Sequence, residues 1–171
     1  MEIEDLLVKI TGILDKLKIP YAITGGMAVS VCGRTRYTAD IDIVVELILE
    51  NTKILAKELL KIDKDVYVSE EAMREALETK GEFNFIHPQS QLKVDFWVVE
   101  DKQEIERAIT KEIEGKKVNF VSPEDLVLSK LLWYRQTEST RQLEDIESVF
   151  KISKVDMKYI KKTAEAQSTT E

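Results

Sequence analysis

Cysteine and histidine are almost absent from this chain of 171 residues, and their scarcity excludes several kinds of site. Cys32 is the single cysteine, so there is no internal disulfide and no zinc site built from several thiolates. His87 is the single histidine, which excludes metal sites and HExxH-type chemistry that need two imidazoles. Any chemistry must therefore depend on carboxylates, lysines and arginines.

An excess of positive charge is lacking as well. Asp and Glu number 32 against 25 Lys and Arg, so the formal net charge is −7. A general nucleic-acid coat would need the opposite excess in order to neutralise phosphates. Hydrophobic residues make up 43% and charged residues 33% of the chain, which indicates a globular protein and not a disordered one. The length predicts one domain.

Long hydrophobic runs are also missing. No apolar segment approaches the ~20 residues of a membrane-spanning helix. The first five residues are acidic where a secretory signal would be basic. Together with the single thiol, these features lead us to expect a cytoplasmic protein without a membrane partner.

Hydrophobic periodicity predicts an α/β core over residues 1–121, helices packed on it in the same domain over 122–166, and a frayed tail over 167–171. Strands are predicted at 21–24, 40–45, 83–86, 91–99 and 116–121, and helices at 3–17, 27–32, 52–62, 70–79 and 102–113. Ser122-Pro123-Glu124-Asp125 is typical of a helix start, and further helices are predicted at 140–151 and from about Ser153. This order predicts a mixed sheet flanked by helices.

Two aspartates occupy a segment that is otherwise typical of a buried strand. Side chains alternate along a strand, so Asp40 and Asp42 face one side while Ile41 and Ile43 face the other. Two like charges on one face repel each other and are costly to desolvate, and a divalent cation between them removes that cost. The alternative interpretation is a solvent-facing pair where the strand begins.

Asp95 repeats this pattern in the middle of the apolar strand 91–99. If the two strands are neighbours, Asp40, Asp42 and Asp95 form a cluster suited to one or two Mg²⁺ ions, which prefer hard oxygen ligands and substrate phosphates. Two such ions can clamp the in-line displacement of a phosphoryl or nucleotidyl group. Taken alone, Asp95 is also compatible with an acid on an edge strand.

A glycine pair, Gly25-Gly26, lies between a predicted strand and a predicted helix. Glycines at such a junction allow close approach of the backbone, and the free N–H groups of a helix N-terminus attract phosphate. A glycine pair alone is common in turns. Followed by Asp40-Ile41-Asp42 after thirteen intervening residues, it becomes a much more specific pattern.

These motifs resemble the nucleotidyltransferase superfamily that shares the polymerase β fold, over roughly residues 20–150. The pattern is similar to two branches, the AbiEii-type toxin nucleotidyltransferases and the aminoglycoside and lincosamide nucleotidyltransferases. The similar segments are Gly25-Gly26-Met27-Ala28-Val29, Gly33-Arg34-Thr35-Arg36, Thr38, Asp40-Ile41-Asp42, Ser122-Pro123-Glu124-Asp125-Leu126, Lys130 and Arg141-x-x-x-Asp145-Ile146. Many members have Gly-Ser in place of Gly25-Gly26, and their serine hydroxyl helps to hold the phosphates.

The resemblance implies a nucleotidyltransferase fold and a role for each motif residue. Asp40 and Asp42 would ligate the metals that hold an NTP triphosphate. Asp95 would share a metal and help to deprotonate the acceptor hydroxyl. The phosphates would bind at Gly25 and Gly26. Candidates for neutralising the triphosphate or pyrophosphate charge are Arg34, Arg36 and Lys130, although the arginines are also compatible with solvated loop residues and Lys130 with a side chain that reaches solvent.

We therefore expect an Mg²⁺-dependent enzyme that moves an NMP from an NTP to an acceptor hydroxyl and releases pyrophosphate. The acceptor is left open between RNA, such as tRNA, and a small hydroxylated molecule. The lysines of 151–162 would suit RNA, but a solvated helix face is the favoured interpretation. An antitoxin-like protein partner is a further expectation. The alternative function is an inactive relative that binds a nucleotide or a partner.

Several other residues have ordinary structural interpretations. Arg141 and Asp145 are spaced for a salt bridge on a helix surface. Trp133 and Tyr134 lie in an apolar helix and are predicted to be core residues, although they could stack on a base. Cys32 is predicted to be buried.

Overall fold

A computed structural model describes residues 1–168, so residues 169–171 of the predicted frayed tail lie outside the described residues. The helices are α1 (Ile3–Lys16), α2 (Gly25–Cys32), α3 (Leu49–Leu60), α4 (Glu70–Thr79), α5 (Gln103–Glu106), α6 (Pro123–Thr137), α7 (Thr140–Ile152) and α8 (Met157–Gln167). The strands are β1 (Tyr21–Thr24), β2 (Asp40–Val45), β3 (Glu82–His87), β4 (Leu92–Val98), β5 (Ile109–Ile113) and β6 (Lys116–Phe120). The predicted mixed α/β architecture is confirmed.

The strands form one six-stranded mixed sheet in the order β3-β4-β2-β1-β6-β5. β2 is antiparallel to β1 and parallel to β4, while β1 is parallel to β6. β3 and β5 are the antiparallel edge strands. The two strands that carry the aspartate motifs are therefore neighbours at the centre of the sheet.

Alternation along β2 and β4 separates an apolar face of the sheet from a polar one. Ile41, Ile43, Val94 and Phe96 are fully buried on the apolar face. There the ring of Phe96 stacks on that of Phe83 in β3, with centroids 4.7 Å apart. The aspartates consequently lie on the opposite face, beside α2, which contacts β1, β2 and α6.

The predicted helix over 102–113 is wrong for most of its length. Only α5 is helical, and 109–113 forms strand β5, which pairs with β6. The connection is a tight turn in which Glu114 and Gly115 have φ values of 50° and 74°. Positive φ at both turn residues suits a two-residue hairpin, and glycine adopts it without strain.

The helix predicted to begin near Ser153 begins instead at Met157. The Asp156 carboxylate accepts the Tyr159 N–H at 3.1 Å, so Asp156 is the N-cap. The Ser153 hydroxyl donates to the Cys32 carbonyl at 2.5 Å, and Cys32 itself is buried as predicted. Among the described residues, no helix combines the length and apolar character needed to cross a membrane.

Candidate active site

Asp42 and Asp95 are direct partners in the register of the parallel strands β2 and β4. Partnered residues lie on the same face of a sheet, so Asp40, two residues before Asp42, also faces this side. Asp95 is buried, Asp42 half-buried and Asp40 exposed. The fold therefore brings the three sequence-predicted carboxylates onto one surface, with Asp40 at its outer edge.

Burial and mutual repulsion change the acidity of the two inner carboxyls. Burial raises the pKa of Asp42 to about 6, and the charges of Asp95 and Asp40 act in the same direction, while Trp97 and Lys130 oppose the shift. Burial also raises the pKa of Asp95, whereas Lys93, with its Nζ 3.1 Å from Asp95 Oδ2, acts to lower it. Positive charge close to this pair would therefore be strongly stabilising.

The glycine pair forms the first turn of α2, against the carboxylates. Thr24 in β1 is the register partner of Asp42, which places Gly25 beside the aspartate. Gly25 has a φ of 64°, and a Cβ built there would overlap the Asp42 carboxylate. A Cβ on Gly26 would lie 3.2 Å from Arg36 and Thr38. Thr24 makes no capping hydrogen bond through its side chain, so the free N–H groups of α2 are available to an anion.

The candidate cations gather around one buried carboxylate, that of Asp145 in α7. Asp145 Oδ2 lies 2.7 Å from Arg36 Nη1 and 3.0 Å from Lys130 Nζ, while Oδ1 lies 3.2 Å from Arg34 Nη2. Asp145 is fully buried, whereas Arg34 also pairs with exposed Glu144 at 3.0 Å. This cluster ties the loop after α2 to helices α6 and α7.

One prediction about these residues is wrong, and one alternative interpretation does not hold. Asp145 does not pair with Arg141, because its side of α7 packs inward against α6 while Arg141 is exposed. Lys130 does not extend to solvent, since it is 7% exposed and ion-paired. Burial lowers the pKa of Lys130, and Asp145 counteracts that shift.

A cavity of about 320 Å³ connects these groups. Its lining residues are Thr24, Gly25, Gly26, Arg36, Asp42, Asp95, Trp97, Ser129, Lys130, Trp133 and Gln142. Of the site residues predicted from sequence, Asp40 and Arg34 are not part of this wall. The cavity combines carboxylates, cations and a helix N-terminus, which are the groups needed to bind a metal-triphosphate complex.

Sequence reasoning missed several residues of this cavity, and Trp133 was wrongly predicted to be a core residue. Trp133 is 43% exposed. Trp97 follows Asp95 by two residues on the same strand, so strand alternation alone places it on the same face. Trp133 follows Lys130 by three residues on a helix, hence on the same side. Asp145 gave no comparable signal, because its i,i+4 spacing with Arg141 resembles a surface pair.

The fold is similar to that of solved nucleotidyltransferases. ANT(2″)-Ia, solved in complex with adenylyl-2″-tobramycin, matches with a TM-score of 0.66 and 17% identity, over 96% of this chain and 98% of that one. An antigenic nucleotidyltransferase-like protein from Paracoccidioides brasiliensis matches with a TM-score of 0.60 and 23% identity, over 88% of this chain and 76% of that one. The lincosamide antibiotic adenylyltransferase LnuA, bound to lincomycin, matches with a TM-score of 0.58 and 15% identity, over 90% of this chain and 98% of that one.

At the level of sequence, no curated protein matches this chain. The sequence model of one protein family, described as nucleotidyltransferase of unknown function (DUF6036), matches residues 1–171. The match covers the chain from end to end, including the glycine pair and all three aspartates. The chain therefore belongs to this family of nucleotidyltransferases.

Proposed function

We propose that this protein moves an NMP from an NTP to an acceptor hydroxyl with release of pyrophosphate, in a reaction that depends on Mg²⁺. The observation that carries the proposal is the in-register pair Asp42 and Asp95, with Asp42 against Gly25 at the start of α2. Family membership supports the reaction class.

The carboxylates fit Mg²⁺ by their chemistry. Asp42 and Asp95 are neighbouring hard oxygen donors, and Asp95 Oδ1 is buried without a hydrogen-bond partner among the described residues. Within residues 1–168, no group of three His, Cys, Asp or Glu side chains is already arranged to hold a metal ion. Mg²⁺ is commonly held by one or two carboxylates together with phosphates and water, so we infer that the triphosphate completes the set. When bound, the ion offsets the carboxylate repulsion and the charge on the phosphates.

The remaining residues bind and orient the phosphates. The N–H groups of Gly25 and Gly26 would donate to phosphate oxygens, and a Cβ at Gly25 would overlap the Asp42 carboxylate beside this site. Arg36 and Lys130 line the cavity and would neutralise the charge that develops on the leaving pyrophosphate. Arg34 lies behind them and would act by holding Asp145 in place.

Asp95 is the group we assign to the acceptor. Its carboxylate would accept the proton of the acceptor hydroxyl. The hydroxyl oxygen would then form a bond to the α-phosphorus while the bond from that phosphorus to the bridging oxygen breaks, which releases pyrophosphate.

We propose that the acceptor is a small hydroxylated molecule, since two structurally similar proteins were solved with adenylyl-2″-tobramycin or lincomycin bound. RNA such as tRNA is the other acceptor class to be tested. A cytoplasmic location and an antitoxin-like partner stay predictions.

A transfer screen tests the proposed function. The protein would be incubated with Mg²⁺ and NTPs labelled at either the α- or the γ-phosphate, with hydroxylated antibiotics and tRNA as acceptors. We expect the α-label to appear in product and EDTA to abolish its transfer. Transfer of the γ-label, or transfer that is unaffected by EDTA, would contradict the proposal.

A further inference from the structure

Both tryptophans of the chain line the candidate active-site cavity. The rings of Trp97 and Trp133 meet edge to face, with centroids 6.0 Å apart and planes at 74°. Trp133 is 43% exposed, so part of its ring faces solvent. Large aromatic side chains contribute most to binding energy when their ring surface becomes buried. An exposed ring inside a polar cavity therefore offers a ligand a surface to cover.

The secondary structure places these rings next to the phosphate-binding groups. Trp97 and Asp95 are alternate residues of β4 and share a face of the sheet. Lys130 and Trp133 are one helical turn apart on α6. A ligand whose charged part lies beside Asp95 and Lys130 would therefore also meet an aromatic surface in the same cavity.

The cavity wall next to the tryptophans is neutral and polar. Ser129 and Gln142 both contribute to the wall. Gln142 Oε1 is buried and has no hydrogen-bond partner among the described residues. An amide carries both donors and an acceptor, which match the edge of a nucleobase, and an unpaired buried amide oxygen is costly until a ligand satisfies it.

We propose that Trp97, Trp133 and Gln142 form the nucleobase subsite of this cavity, and that the base is a purine. The base stacks on Trp133, which Trp97 supports edge-on, and its polar edge bonds to Gln142. A purine is favoured because its two rings give a larger stacking surface than a pyrimidine. This subsite rests on the proposed function, since it assumes that the cavity binds an NTP.

The test separates the base from the triphosphate. Binding of ATP, CTP and inorganic tripolyphosphate, each with Mg²⁺, would be measured by calorimetry on the wild-type chain and on Trp133→Ala, Trp133→Phe and Gln142→Ala. Phe150→Ala is the matched control, because Phe150 is a 40% exposed aromatic residue outside the cavity wall. Melting curves would verify that each variant folds.

The subsite predicts a selective loss. Trp133→Ala weakens ATP binding about tenfold or more but changes tripolyphosphate binding less than about twofold, and Trp133→Phe recovers most of the loss. Gln142→Ala weakens ATP binding severalfold with the same selectivity, and the wild-type chain binds ATP more tightly than CTP.

Three results would overturn the subsite. In one, Trp133→Ala weakens the binding of ATP and the binding of tripolyphosphate equally. In another, it leaves ATP binding unchanged. In the third, the wild-type chain binds tripolyphosphate as tightly as ATP. If the wild-type chain binds neither probe, the proposed function itself fails, so the two failures are distinguishable.

Discussion

At the scale of single residues, Asp145 is the side chain on which the arrangement of the site most depends. It is fully buried and contacts three cations, two of which line the cavity. Removing one partner from a buried ionic cluster leaves the others desolvated and uncompensated. Asp145 therefore holds Arg36 and Lys130 where a triphosphate would meet them.

Asp145→Asn should lower the free energy of unfolding by about 3 to 5 kcal/mol, as measured by urea denaturation. Glu144→Gln is the matched control, since Glu144 is exposed and its one ion pair among residues 1–168 is with Arg34, and losing that pair should cost less than about 1 kcal/mol. Equal stabilities of the two variants would show that Asp145 is not the centre of the cluster.

Glu104 provides a pH-dependent prediction away from the aspartate motifs. Burial, followed by the charges of Asp125 and Asp101, raises the pKa of Glu104 from 4.5 to about 7. The folded state therefore binds this proton more tightly than the unfolded state, and stability falls as the pH rises from about 4.5 to 7.

Glu104→Gln should accordingly raise the free energy of unfolding by roughly 1 to 3 kcal/mol at pH 8, with the gain disappearing near pH 4.5. Thermal melts across this pH range would measure it, with Glu106→Gln as the control because Glu106 is an exposed residue of the same short helix. A gain of the same size at every pH would contradict the assignment.

At the scale of elements, the cap of α8 explains why the predicted start of that helix was early. Ser153 and Asp156 are both good capping residues, but only Asp156 accepts a backbone N–H, from Tyr159. The Ser153 hydroxyl is occupied by the Cys32 carbonyl, which lies 121 positions earlier in the chain. Capping rules use only neighbouring residues, so they cannot predict that contact.

Asp156→Ala should lower the free energy of unfolding by about 1 kcal/mol, which is the usual cost of losing an N-cap. Urea denaturation measures the loss, and Lys154→Ala serves as the control because Lys154 is exposed and precedes the cap. A loss that is no larger than that of the control would show that Asp156 does not cap α8.

The elements that carry the site were predictable because their signals are local. Strand alternation identified Asp40, Asp42 and Asp95, and the register of β2 against β4 brings Asp42 and Asp95 together. The helix predicted over 102–113 was wrong because strand β5 depends on pairing with β6. Helical periodicity carries no information about that pairing. Hairpin pairing is a tertiary contact, and the Glu114-Gly115 turn was its only local sign.

At the scale of the whole molecule, the cavity joins residues that are distant in sequence. Gly25 comes from α2, Asp42 and Asp95 from the sheet, Lys130 from α6 and Gln142 from α7. Motif spacing was enough to predict the glycine and the carboxylates as site residues, because glycines suit phosphate approach and paired carboxylates suit a metal ion. The tryptophans, Gln142 and Asp145 could not be assigned to one site before the helices were placed over the sheet.

The proposed Mg²⁺-dependent transfer rests on Asp42 and Asp95. The most direct measurement is the initial rate of α-label transfer by Asp42→Asn and Asp95→Asn, beside Asp5→Asn, which removes an exposed acid from α1. We predict that each site variant loses at least about a hundredfold in rate while remaining folded, and that Asp5→Asn keeps the wild-type rate. Transfer by Asp42→Asn at the wild-type rate would show that Asp42 is not needed for the reaction.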